Sequence, residues 1–298
     1  MMDRELIERL FRLRAEVGEG QAQGFVPTRL LSVRIFWSDH PIPRMSLSYD
    51  PGIAIIVSGR KTGFLDGTRF VYEAGCYLAV GLPVCFDCET DAAPDRPLIG
   101  LFLRTDQPML QELAAGMADA RAHPSPGPTS LGVEPLKLTP SMRDATLRLA
   151  RQLADPAEAR LLAPATLREI FFHALQDGHG RALLAQTRPD RPEARIAALL
   201  IRIERDGGRP PAVEEMAASV GMSPASFHRH FRAAFGASPL KYLKQRRVLR
   251  ARTLLAEHGS TVSEAAHAMG YASPAQFSRD FRAHFGVPPS QLSRSGAA

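Results

Sequence analysis

Histidine is nearly missing from the first 122 residues, where His40 is the single example. Metal centres draw on His, Cys and carboxylates in close array, so this half of the chain is not expected to hold one. Cysteine is scarce too, with 3 in 298 residues. A small odd number suits a reducing compartment better than a disulfide scaffold. No apolar run approaches the roughly 18 residues that cross a bilayer. The opening Met1-Met-Asp-Arg-Glu-Leu-Ile-Glu8 lacks the apolar core of a signal peptide. These absences predict a cytoplasmic protein with no membrane contact. A Gly-x-Ser-x-Gly elbow, a phosphate loop and a dinucleotide fingerprint are also wanting, so neither an enzyme nor a cofactor is expected.

The cysteines need separate treatment. Cys85 and Cys88 form a Cys-x-x-Cys, but residues three apart on a strand point to opposite faces about 10 Å apart. A disulfide needs Cα atoms within about 7 Å, so a bulge or turn would be required. With no second pair and no nearby His, zinc is not expected there. Cys76, Cys85 and Cys88 are candidates for a redox or electrophile sensor, the alternative being three inert thiols. Alternation along the second of two strands puts Val84, Phe86 and Cys88 on the more apolar face, so Cys88 is the one expected to look inward.

What is present is an ordinary globular composition, 45% hydrophobic and 23% charged, over a length that favours two domains. The net charge of +6 is unevenly spread. Pro192–Ala298 holds 15 Lys/Arg against 8 Asp/Glu, a net +7 that leaves −1 for the rest. One basic half beside a neutral half is the footprint of a nucleic-acid-binding domain joined to something else.

That basic half says the same thing twice. Val213 to Pro239 and Val262 to Pro289 each read as a short amphipathic helix, a turn centred on Gly221 or Gly270, then Ser223-Pro224 or Ser273-Pro274 starting a second helix. This is the helix-turn-helix pattern, with one extra turn residue in the second copy. Phe227, Phe231 and Phe235, like Phe277, Phe281 and Phe285, recur every four residues and predict an inward stripe. Arg229 and Arg279 fall almost opposite, with Ala225, Ser226, Ala275, Gln276 and Ser278 around them. Small side chains let a backbone approach the major groove, and Arg can read guanine with two hydrogen bonds. Ser223, Ser273, Lys241, Lys244 and Arg246 are the candidates for phosphate contact. His228 and His230 lie two apart on a helix and so on different faces, which argues against zinc. His228 is either DNA-facing or packed into the turn.

From the Arg195 helix to Arg294 the chain resembles the DNA-binding domain of the AraC/XylS family of transcription regulators. The resemblance includes Tyr242-Leu243, Arg247-Val248, Ala251 and Leu254-Leu255 of the joining helix. It also includes the ending Phe285-Gly286-Val-Pro-Pro289. It implies double-stranded promoter DNA as partner, activation as the usual outcome, and RNA polymerase as a second partner.

The N-terminal half changes period. Residues 2–17 carry a helical apolar face, and Gly18 to Gly24 break it. From Phe25 to Arg104 the period is two, as in Leu31, Val33, Ile35 and Trp37, with Ile53 to Val57 as a buried strand and Asp66-Gly67 at a hairpin. About eight short strands predict a small barrel or jelly roll able to hold one small ligand. Pro41-Ile-Pro43, Ser58-Gly59-Arg60-Lys61, Tyr77-Leu78 and Leu82-Pro83-Val84 resemble the cupin-like N-terminal domain of an AraC-type subgroup.

Beyond Asp106 the pattern is helical. Asp106, Thr139-Pro140 and Asp155-Pro156 start helices, the last carrying Leu161, Leu162, Leu167, Ile170, Phe171 and Leu175. His123 to Pro128 is a loop that no helix crosses. The apolar faces serve either a homodimer or packing on the barrel.

The expected fold is α+β in two domains. Residues 1–187 form a cupin-like sensor or dimerisation domain, with a barrel over 25–104 and helices over 106–187. Residues 188–192 are a linker, and 193–298 an all-α double helix-turn-helix. The expected function is sequence-specific transcription regulation answering a small-molecule or stress signal. The alternatives are a barrel enzyme localised on DNA and an effector-independent regulator that uses the barrel as a scaffold.

Overall fold

The computed structural model describes residues 4–17, 23–65, 67–118, 133–176, 181–184, 191–208, 210–257 and 260–294. They gather into two compact units. One comprises Met1–Arg44, Asp50–Leu82 and Asp87–Arg188; the other comprises Met45–Tyr49, Pro83–Phe86 and Pro189–Ala298.

After helix α1 (Arg4–Val17) come strands β1 (Gln23–Pro27), β2 (Val33–Ser38), β3 (Ile42–Tyr49), β4 (Gly52–Ser58), β5 (Arg60–Leu65), β6 (Thr68–Glu73), β7 (Cys76–Val80), β8 (Val84–Asp91) and β9 (Leu98–Arg104). Helix α2 (Gln107–Ala118) and strand β10 (Val133–Lys137) follow, then α3 (Pro140–Gln152), α4 (Pro156–Leu161), α5 (Ala163–Leu175) and α6 (Arg181–Leu184). The strands make a six-stranded sheet in the order β1-β2-β9-β4-β7-β10 and a four-stranded sheet in the order β3-β8-β5-β6. Lys61 of the smaller sheet lies 5.9 Å from the ring of Phe36 on the larger, so their inner faces meet. The result is a cupin-like double sheet.

Period two explains which side chains go where. Val33, Ile35 and Trp37 of β2 are buried on the outer face, against Leu6, Leu10 and Leu13 of α1. Residues 53–57 of β4 are all buried, because β4 is a central strand between β9 and β7 whose Ile53, Ile55 and Val57 enter the core with α1 while Ala54 and Ile56 turn to the other face. The β5–β6 hairpin closes at Leu65 and Thr68, with Gly67 at φ +77°, a conformation that favours glycine. Asp66 lies outside the described residues, as do Gly18 to residue 22 and the His123–Pro128 segment.

The helices past β9 pack on the six-stranded sheet. Met142, Leu149, Leu167, Ile170, Phe171 and Leu175 share one core with α1 and the outer sheet face. Each such side chain contributes about 1.5–3 kcal/mol by leaving water. Thr139 and Asp155 cap α3 and α4 as expected, accepting from Met142 N and from Ala157 N and Glu158 N.

Two details differ from expectation. The strand β10 was not anticipated, because Pro135 within Val133–Lys137 argues against a strand; it sits at the sheet edge, pairing with β7, where a missing N–H is tolerated. The helix expected from Pro156 to Leu175 is two helices, broken at Leu162. Pro164 lacks the N–H that would continue the first helix and is accommodated in the opening turn of the second. Leu161 and Leu162 sit at the corner and are exposed rather than on the apolar face.

The helical part consists of α7 (Pro192–Asp206), α8 (Val213–Ser219), α9 (Pro224–Phe235), α10 (Pro239–Glu257), α11 (Val262–Ala268), α12 (Pro274–Phe285) and α13 (Pro289–Arg294). Pairs α8–α9 and α11–α12 are the two helix-turn-helix units, joined by α10.

Candidate nucleic-acid interface

Each unit is built by the same local rules. The turns pass through Gly221 at φ +66° and Gly270 at φ +68°, where a side chain would be strained. Ser223 Oγ then accepts from Ser226 N at 3.3 Å, and Ser273 Oγ from Gln276 N at 3.2 Å. Proline follows in the first turn of both α9 and α12. Gly236 and Gly286, both left-handed, end the two helices.

The phenylalanine stripes face inward. Phe227, Phe231, Phe235, Phe277 and Phe281 are buried and Phe285 partly so. Their rings touch in series, at 5.6 and 4.7 Å in α9 and at 5.4 and 4.5 Å in α12. With the stripe fixed, the opposite face is fixed as well. Ala225, His228, Arg229 and Arg232 are exposed on α9, and Ala275, Gln276, Arg279 and Arg282 on α12; Ser226 and Ser278 are half-buried at the margins. Arg229 Nη2 donates to Ser226 Oγ at 3.4 Å. Of the two orientations open to His228, the structure shows the outward one. His230 points elsewhere, with Nδ1 3.4 Å from Glu193 of α7.

The residues expected at phosphates divide. Ser223 and Ser273 cap their helices, which leaves each hydroxyl hydrogen able to donate outward. Lys241 is exposed. Lys244 is engaged, its Nζ lying 2.7 Å from Asp280 Oδ1. Arg246 must be corrected. It is 2% exposed, and its Nε and Nη2 donate to Glu204 of α7 at 2.5 and 2.6 Å. Its Nη1 donates to Tyr49 O at 3.1 Å. Helix phase turns it inward, where the Glu204 carboxylate compensates its charge, and it cannot reach a phosphate.

Sequence reasoning missed Arg247. Its Nε donates to Met269 O at 2.6 Å, and its guanidinium lies 4.2 Å from the ring centre of Tyr271. Tyr271 holds the place of Met222 in the first turn, their N–H groups donating to the equivalent Ala266 O and Ala217 O, so an aromatic directly after the turn glycine was the available signal. Burial pushes the Tyr271 hydroxyl up to about 12, against the pull of the Arg247 charge.

The cysteines separate in the same way. Cys88 is buried with its Sγ 3.2 Å from Tyr72 Oη, while Cys76 and Cys85 are half-buried. Desolvation pushes the Cys85 thiol up to about 11, outweighing the nearby Arg246 charge, so it is not a ready thiolate. Among the described residues no three or more His, Cys, Asp or Glu side chains are grouped to hold a metal ion. Among them too, no helix is long and apolar enough to cross a membrane.

Residues 29–182 match the family model of the AraC-type transcriptional regulator N-terminus, over more than half of the chain. The chain belongs to the AraC-type transcriptional regulators. Residues 216–295 of the regulator match a helix-turn-helix domain model. An AraC-like transcription regulator of Streptomyces lividans is 32% identical over 78 residues, 26% of either protein, so the match spans about a quarter of that relative's length. Among solved structures, a 1.65 Å structure of ToxT from Vibrio cholerae superposes with a TM-score of 0.60 at 10% identity, covering 88% of this chain and 97% of ToxT. ToxT from the same organism with an unsaturated fatty acid bound gives a TM-score of 0.56 at 12% identity, covering 92% and 96%. At such identity the likeness is one of fold.

Proposed function

We propose that this regulator binds a specific duplex through both helix-turn-helix units and controls transcription from it, as an activator that contacts RNA polymerase rather than as an enzyme. The observation that carries this is the matched exposure of Arg229 and Arg279, each opposite a buried phenylalanine stripe at the same register of its helix. Ala225, Ser226 and His228 flank the first Arg, and Ala275, Gln276 and Ser278 the second, as base-facing or base-adjacent positions. Ser223, Ser273 and Lys241 hold phosphates. Residues 193–298 act as the DNA-binding domain. Residues 1–187 receive a small-molecule or stress signal and provide a surface for a second copy; membership of the family supports this division of labour. Helix α10 has 19 residues, or about 28 Å at 1.5 Å per residue. That length suits recognition helices about one duplex turn, roughly 34 Å, apart.

Selection of bound duplexes from a random pool, followed by footprinting, tests this. The expected result is one sequence family with two protected major-groove patches on one face. Recovery of no common sequence would refute specific binding, and a single patch would show that one unit does not engage.

A further inference from the structure

Both recognition helices are tied at the same register, but with opposite polarity. On α9 the tying residue is the base His230, held to Glu193 of α7. On α12 it is the acid Asp280, held to Lys244 of α10. Asp280 is the single carboxylate in Pro274–Phe285 and follows directly after Arg279. A carboxylate on a DNA-facing helix repels phosphate, so its placement there needs a reason. Its side chain is 19% exposed, whereas that of Lys244 is 56% exposed. The acid is thus the sheltered partner, and the cation is the one that reaches towards solvent.

The pair has two physical effects. It ties α12 to α10 beside Arg279, which fixes the helix that carries the guanidinium. It also cancels a positive charge that, left alone, would bind the backbone of any duplex. A cation bound to phosphate displaces a counterion and steepens the dependence of log affinity on log salt by about 0.9. The neighbouring Arg247 feels the Asp280 charge but keeps its own partners in Met269 O and the Tyr271 ring, so Lys244 is the cation that Asp280 holds directly.

We propose that Asp280 is a specificity-determining residue of the DNA interface, one that ties the second recognition helix in its base-reading orientation and withdraws Lys244 from sequence-independent phosphate binding. A non-specific complex needs no oriented Arg279 and gains from every free cation. A specific complex needs the orientation. Removing the carboxylate therefore raises the first affinity while leaving the second unchanged or lower. The inference rests on the DNA-binding function proposed above.

The test uses the full chain, a duplex selected by the wild-type protein and a random-sequence duplex of the same length, each titrated over a range of salt. Asp280→Asn is expected to bind the random duplex about three- to tenfold more tightly at 0.1 M salt, with a slope steeper by about one. The ratio of selected to random affinity should fall by at least about threefold, since in the specific complex the phosphate gain is offset by the lost orientation of the recognition helix. Adding Lys244→Gln to Asp280→Asn should abolish the gain on the random duplex, and Asp280→Glu should keep the wild-type ratio. An equal loss on both duplexes that does not depend on Lys244 would overturn the proposal and leave Asp280 a purely structural residue. Should Asp280→Asn fail to fold by circular dichroism, Lys244→Gln alone decides. A change below about twofold on the random duplex is expected, because the charge is already cancelled. A loss of about threefold or more with a flatter slope would overturn it. If the wild-type chain holds neither duplex, the DNA-binding function itself falls, which is a different outcome from intact binding with an indifferent Asp280.

Discussion

The two helix-turn-helix units use one scaffold and secure it differently. In the first, α8 follows Ala212, which has no hydroxyl to cap it, and Glu215 alone reaches back to Ala212 N at 3.0 Å. In the second, Thr261 and Glu264 cap α11 reciprocally, Thr261 Oγ1 accepting from Glu264 N and Glu264 Oε2 accepting from Thr261 N. The longer second turn buries Tyr271 against Phe277 and brings Arg247 over it, a joint in which the connecting helix α10 holds the second turn directly. The stripes also differ at their ends, for Phe235 is buried and packs at a tilt against Tyr242 while Phe285 is only partly buried. A repeated pattern therefore fixes the core of each unit, and the unrepeated residues decide how firmly each recognition face is held.

The largest effect should come from the shared part. Phe231→Ala and Phe281→Ala each open a cavity in a small core and should cost roughly 3–5 kcal/mol. Each should erase only its own unit's patch in a footprint on the selected duplex, so loss of both patches from either variant would mean that the units fold as one. Arg247→Met comes next. It removes a charge-assisted hydrogen bond and a stacked cation, together worth about 1.5–3 kcal/mol. Thermal melting and footprinting should show the damage in the second unit and not the first, and an unchanged melt would deny the joint its role.

Base reading sharpens the comparison at the surface. Arg229→Ala and Arg279→Ala should each weaken binding to the selected duplex by about 1–3 kcal/mol and relax preference at one base position. The two positions should lie in different patches, which renewed selection with each variant reveals; uniform weakening on all sequences would show phosphate contact instead. The smallest effect concerns the caps. Ala212→Thr should stabilise the first unit, and Thr261→Ala destabilise the second, by about 1 kcal/mol each. Glu264 is held below the usual carboxylate range, chiefly by its hydrogen bond from the Thr261 backbone. Its contribution is complete above the ordinary value of 4.5 and is lost as pH falls through the depressed one. Melts of Glu264→Gln and wild type should therefore converge on acidification, and a gap that is constant with pH would exclude the carboxylate.

Sequence by itself determined what depends on period and on local chemistry. Phenylalanines every four residues fixed the inward face of α9 and α12, and with it the outward Ala225, His228, Arg229, Ala275, Gln276 and Arg279. Period two showed Cys88 turned inward on β8, and the family followed from the doubled motif and its ending at Pro289. Tertiary structure alone decided what depends on a partner distant in the chain. Arg246 and Arg247 share a basic helix with Lys241 and Lys244, and helix phase turns Arg246 inward without saying what it meets there. Glu204 lies 42 residues from Arg246, and Met269 lies 22 from Arg247; these partners take both guanidiniums out of the phosphate-binding set. The ion pair of Lys244 with Asp280 arises in the same way. A charge in a sequence is only a potential contact, because Coulomb attraction acts on spatial separation, and only the packing of α7, α10 and α12 sets which charges come within 4 Å of each other.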